Sequence, residues 1–364
     1  MPLTTVDQGL LSTNAQYTGF KNRIINGDMV IDQRNNGASL AIPNAASTYT
    51  LDRWEALETG SMAFSVQRST TVPSGAGFVN SVLITTTTAA APASGSRSQF
   101  AQYIEGFNVA DLRWGTANAQ PVTLSFWVRS SLTGQFGGAF QNATQDRSYP
   151  YSYTISAANT WEYKTVTIPG DTTGTWNTTN GRGVCVYFDL GMGSDLLGPA
   201  GAWVGADDRG ATGDVRLSET NGATFFLTGV QLEKGQTATS FDVLPYSTEL
   251  QLCRRYCPVF IGEGSAGAGV WGYWDSSNTF IGAVYFDVQA RVSPTGITAI
   301  ASQWNCNNST VANPTANSIS YNGGCVNSGG VSFTVASNGS SNGKAGRAYP
   351  NANPAIIIFN GCEL

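Results

Sequence analysis

Histidine is absent from all 364 residues. That removes Ser-His-Asp and Cys-His catalysis and any zinc site built on imidazole. It also removes the usual proton shuttle near neutral pH. Since histidine is the most frequent general acid or base, the chain reads as non-enzymatic, with no catalytic residues, no cofactor and no metal. Charge is scarce as well: Asp, Glu, Lys and Arg make up 12%, against about 25% in ordinary soluble domains. The net charge is -5, and the longest basic feature is Arg254-Arg255. No nucleic-acid partner is expected from such a balance. Cysteine is too sparse and scattered for a disulfide framework, with six residues at 185, 253, 257, 306, 325 and 362. Buried free thiols are the expectation. No stretch approaches the roughly 18 apolar residues of a membrane span. The opening "MPLTTVDQGLLSTNAQYTGF" lacks the basic and apolar regions of a secretory signal. The reading is a soluble protein made in a cytoplasm.

What fills the chain instead is Gly, Ser, Thr, Asn and Ala around short apolar runs. Hydrophobic residues reach 41% and glycines number 42, enough for real cores broken by many turns. "PVTLSFWVRSS" alternates strictly: Val122, Leu124, Phe126 and Val128 share one face, while Thr123, Ser125, Trp127 and Arg129 share the other. That is a half-buried antiparallel strand. "GVCVYFDLGMG" places Val184, Val186, Phe188 and Leu190 inward. "ATFFLTGVQLEKG" has Phe225 and Leu227 on one face and Phe226, Val230 and Leu232 on the other, which predicts a strand buried between layers. Asn26-Gly27, between "RII" and "MVI", is a hairpin signal. Lys21, Arg23, Asp28, Asp32 and Arg34 around it read as outward charges on edge strands. Many short strands at this spacing predict a β-sandwich.

One helix is expected over 247–257, in "PYSTELQLCRRYCP". Thr248 and Gln251 form a capping box, and Pro258 ends the helix. Leu250, Cys253 and Cys257 form a stripe that packs on a neighbouring sheet or on symmetry mates around a threefold axis. Beyond it, residues 258–364 carry seven charges, Glu263, Asp275, Asp287, Arg291, Lys344, Arg347 and Glu363. So few charges suggest a surface covered by other subunits. Residues 1–20 read as a polar arm, 21–246 as the sandwich, 247–257 as a linking helix and 258–364 as a smaller β domain.

The blocks "FKNRIINGDMVIDQRN" and "YTLDRW", then "QPVTLSFWVRSSLTGQFGGAF", then "GATFFLTGVQLEKGQTATSFDVLPYSTELQLCRRY" resemble, in order and spacing, bacteriophage fibre proteins of the tail or of the head and capsid. The resemblance covers roughly residues 20–257. It implies an all-β protein with a jelly-roll body like that of carbohydrate-binding modules. It implies a homotrimer in the virion, docked to another virion protein through residues 1–20 and binding host surface polysaccharide. A capsid-docked head fibre or decoration protein is the alternative within that class. A polysaccharide depolymerase working through paired carboxylates is the alternative outside it.

Sugars stack their C–H faces on flat aromatic rings and bond their hydroxyls to Asn, Asp and Gln. Trp271, Tyr273, Trp274, Trp304 and Tyr321 lie among such residues and are the candidate glycan contacts, against ordinary core or interface packing. Trp54, Trp114, Trp127, Trp161, Trp176 and Trp203 are candidates for a sugar-binding sheet or for core and rim packing. Asp207, Asp208 and Asp214 cluster in "GADDRGATGD", read as a solvated loop with an ion as the alternative.

Overall fold

The computed structural model describes residues 20–263, 269–307, 314–336, 343–352 and 354–364. The expected docking arm therefore lies outside the described residues, apart from the exposed Phe20. The chain divides into two compact units, residues 1–245 with Leu364 and residues 246–363.

Strands of the first unit run β1 (Leu40–Ala41), β2 (Thr48–Tyr49), β3 (Trp54–Glu58), β4 (Ala63–Ser69), β5 (Ser81–Thr88), β6 (Ser98–Glu105) and β7 (Val122–Ser130). They continue as β8 (Gly134–Gln141), β9 (Ser148–Ile155), β10 (Glu162–Ile168), β11 (Arg182–Asp189), β12 (Leu197–Gly198), β13 (Gly210–Ala211) and β14 (Thr224–Lys234). Two six-stranded antiparallel sheets result, ordered β1-β4-β5-β14-β7-β10 and β2-β3-β6-β11-β8-β9. The chain passes repeatedly from one sheet to the other, so the body is a jelly-roll sandwich.

The alternation of β7 explains its place: Val122, Leu124, Phe126 and Val128 are all fully buried in the inter-sheet core. Val184, Val186, Phe188 and Leu190 of β11 and the turn after it face them from the other sheet. Phe126 and Phe188 meet edge to face at 5.2 Å, and Trp54 stacks on Phe100 at 4.9 Å. Each such ring contributes about 1.5–3 kcal/mol by burial. The pairing adds roughly 0.5–1.5 kcal/mol.

β14 departs from the simple alternation. Its pairing with β7 shifts register between Thr228 and Gln231, at Gly229, whose φ is 61°. The bulge switches parity, so Phe225, Leu227, Val230 and Leu232 all enter one core. The strand is thus not apolar on both faces; only Phe226 of those five turns the other way, against Trp161.

The expected first hairpin is not formed. Residues 21–37 run as bends and turns with no strand. Asn26 is fully buried with φ 59°, and its side-chain amide donates to the carbonyls of Ile31 and Asp52. Gly27 is there for closeness: a Cβ would lie 2.1 Å from the Val230 carbonyl oxygen. The surrounding charges are engaged rather than displayed on an edge. Arg23 pairs with Asp111, Arg34 with Asp52, and Asp32 accepts the Asn35 and Gly37 N–H groups.

The second unit begins with α1 (Tyr246–Arg254), then β15 (Val259–Gly262), β16 (Val270–Trp274), β17 (Thr279–Tyr285), β18 (Gly296–Ala299) and β19 (Trp304–Asn307). β20 (Ala316–Cys325), β21 (Ser328–Val335), β22 (Ala345–Pro350) and β23 (Ala355–Asn360) complete it. They form a three-stranded sheet, β15-β23-β18, and a six-stranded sheet, β19-β22-β16-β17-β21-β20. In both units the last strand lies inside a sheet: β14 between β5 and β7, and β23 between β15 and β18.

α1 starts directly after Pro245, so Thr248 sits inside it and cannot serve as its cap. Cys253 and Cys257 are fully buried within the single chain, and Leu250 is half-buried. The expected trimer stripe is therefore corrected: two of its three residues are already covered without a symmetry mate. The cysteines are free thiols, buried except Cys325.

Candidate functional site: an aromatic sheet face in the second unit

The five candidate aromatics separate by strand parity. Along β16, Val270 and Trp274 point inward while Trp271 and Tyr273 point out. Trp274 is fully buried against Phe280, and Trp304 is fully buried against Phe333 and Phe260. Both are core residues of this unit, so neither can meet a glycan. Tyr321 packs on the same core half-buried and donates its hydroxyl to the Pro294 carbonyl at 2.6 Å. That bond occupies the hydroxyl on the core side, away from the outer face.

Trp271 and Tyr273 remain, 65% and 48% exposed. Two residues apart on a strand, they stand on one face of the sheet. Arg347 on β22 lies directly opposite Trp271, and its guanidinium sits 5.8 Å from the Trp271 ring and 5.2 Å from the Tyr349 ring. Tyr273 lies opposite Ile281 on β17 and Ala345 on β22. Small residues at Ala345 and Ala283 leave the rings standing proud of the sheet, and Tyr285 is exposed at the end of β17. The geometry is a flat aromatic strip with a cation near two rings, suited to stacking against an apolar ligand face. In the turn between β16 and β17 the Ser276 hydroxyl donates to the Asn278 side-chain oxygen.

The tryptophans of the body mostly pack internally. Trp54 lies in the core. Trp114, Trp176 and Trp203 meet edge to face at 4.7–5.4 Å, and each donates its indole N–H within the protein. Trp127 is the exception and lines a groove. Among the described residues no group of three or more acidic or cysteine side chains could hold a metal ion. Asp207 pairs with Arg209, while Asp208 is buried; Asp214 accepts from the Ala211 N–H and Gln135.

No protein-family model matches the chain, and no curated protein matches it. Among solved structures, the enzymatically active domain of bacteriophage CBA120 tailspike protein 4 aligns at 14% identity and TM-score 0.31, over 59% of this chain. The chain spans only 21% of that tailspike domain's length. The family 11 carbohydrate-binding module of a Clostridium thermocellum cellulosomal cellulase aligns at 10% identity and TM-score 0.27, covering 53% of this chain and 98% of the module. An exo-β-agarase aligns at 9% identity and TM-score 0.30, covering 80% of this chain and 41% of the enzyme. At such scores these likenesses carry no functional argument; the sandwich stands on its own topology.

Proposed function

We propose that the protein is a non-enzymatic structural component of a bacteriophage virion, a tail fibre that binds host surface glycan through the outer face of the second unit. The paired exposure of Trp271 and Tyr273 carries the binding reading. The ordered sequence blocks of residues 20–257 support the virion role, with residues 1–20 as the attachment to another virion protein. Trimerisation brings three copies of the aromatic strip to one particle-bound fibre, so weak single contacts sum to avidity. A head or capsid fibre uses the same parts with the arm on the capsid.

The test is binding of the purified protein to polysaccharide from susceptible cells, compared with Trp271→Ala/Tyr273→Ala. Losing both platforms lowers affinity at least tenfold, equal to about 1.4 kcal/mol. Unchanged binding sinks the assignment of this face. Release of new reducing ends from the polysaccharide moves the protein to the depolymerase class.

A further inference from the structure

A second aromatic surface lies in the first unit, on the outer face of the sheet that contains β7. Trp127 on β7 stands opposite Tyr163 on the edge strand β10, their rings 5.5 Å apart and tilted by 49°. Ser125 lies on the same side of β7. Across the far side Phe78 meets Phe241 edge to face at 5.2 Å. Between them is a groove of about 420 Å³, within the roughly 300–1,000 Å³ of small-molecule sites.

The groove is built deliberately by its surroundings. Glu233 and Gln231 on β14 are buried, and both project to this outer face after the bulge. Glu233 accepts the Thr239 N–H and hydroxyl, each at 2.7 Å, and Gln231 accepts the Asp242 N–H at 2.8 Å. Lys21 adds a bond from its ammonium to the Ser240 carbonyl at 2.7 Å. These bonds strap residues 238–241 along the groove as one wall. Gly229 permits the other: a Cβ there would lie 2.5 Å from the Phe78 ring.

What lines the groove decides its ligand. No lining side chain is charged. Ser125 lines the groove, and among the described residues its hydroxyl makes no hydrogen bond and stays open to the groove. The Trp127 and Tyr163 side chains line the same groove. A hydroxyl open to a groove is available to a ligand that reproduces the bonds of the water it displaces. A ligand matched to this lining offers hydroxyls to Ser125, Trp127 and Tyr163 and an apolar face to the rings, without a charge.

We propose that this groove is a binding site for a neutral pyranose, separate from the aromatic face of the second unit. The ring of the sugar stacks on Trp127 and Tyr163, its hydroxyls reach Ser125 and the indole N–H, and an apolar substituent such as a methyl or N-acetyl group turns to Phe78 and Phe241.

The test uses the full chain carrying Trp271→Ala/Tyr273→Ala, so the groove is read whether or not the second unit binds glycan. Saturation-transfer NMR with methyl glucoside, methyl galactoside, fucose and N-acetylglucosamine gives a signal for at least one of them. Tyr163→Ala, on an exposed edge, and Ser125→Ala each reduce that signal at least threefold, while far-ultraviolet circular dichroism stays unchanged. Glucuronate at pH 7 gives a weaker signal than its neutral counterpart. Silence from every neutral sugar overturns the proposal. So does a signal that survives both substitutions, and equal response to glucuronate overturns the neutral specificity.

Discussion

Asp189 ends β11 with its side chain only 3% exposed, and its Oδ1 accepts the N–H groups of Gly191 and Met192 at 2.6 and 2.7 Å. Burial pushes its carboxyl up to about 7, the neighbouring Asp214 adds to the rise, and the two N–H groups oppose it. Burial raises Asp214 to about 6. Both folded values lie above those of the unfolded chain, so the folded protein holds more protons. Stability from these groups is complete below about pH 4 and is lost as pH rises through 6 to 7. Asp189→Asn keeps the Oδ1 acceptor and removes the charge. We expect it to raise the stability of the first unit at pH 8 by on the order of 3 kcal/mol and to flatten the fall between pH 4 and 7, read by urea midpoints. An unchanged pH slope would show that Asp189 is not its source. Burial pushes Asp171 and Glu162 up, but hydrogen bonds from Arg147 and Lys164 and from backbone N–H groups outweigh it and hold both below their usual range, so they act only at lower pH. None of this is legible in sequence, because a carboxylate beneath a sheet end leaves no periodic mark.

At the scale of the element, legibility follows how local the cause is. β7 and β11 were readable because side-chain parity alone places Phe126 and Phe188. β14 was misread by one bulge: a glycine in mid-strand carried the signal, but only a partner strand shows where parity switches. Asn26-Gly27 misled for a related reason, since its glycine answers a distant carbonyl and its asparagine a buried network. The aromatics of β16 were half legible: parity separates Trp271 and Tyr273 from Trp274, but which side is core depends on the opposing strands. Gly229→Ala tests the bulge. The new methyl meets Phe78 in a backbone conformation that disfavours it. We expect a loss of about 1–3 kcal/mol, measured by thermal unfolding, and displaced Phe78 resonances. A neutral effect would mean that the loop bearing Phe78 yields freely.

For the whole molecule, composition spoke to class more than to partners. Few charges, with Gly, Ser, Thr, Asn and Ala in their place, agree with an all-β protein, and the jelly-roll body is present. The trimer rests on the proposed fibre role and the low charge of residues 258–364, since Cys253 and Cys257 are internal. Light scattering on the full-length protein is expected to give about three times 38.4 kDa. A mass of one copy would leave assembly to the particle and favour the decoration role.

The position of the last strands bears on how the protein is made. Without β14, one sheet of the body is two separated fragments, β1-β4-β5 and β7-β10, with their inner edges open. Without β23, β15 and β18 have nothing between them. A ribosome must therefore release residue 234 before the body can close, and residue 360 before the second unit can. Long-range pairing of this kind folds slowly and exposes unpaired edges meanwhile. A chain stopped short of residue 234, or between the two units' last strands, thus carries open sheet edges that are a hazard to its neighbours, and each unit completes only at the end of its own translation.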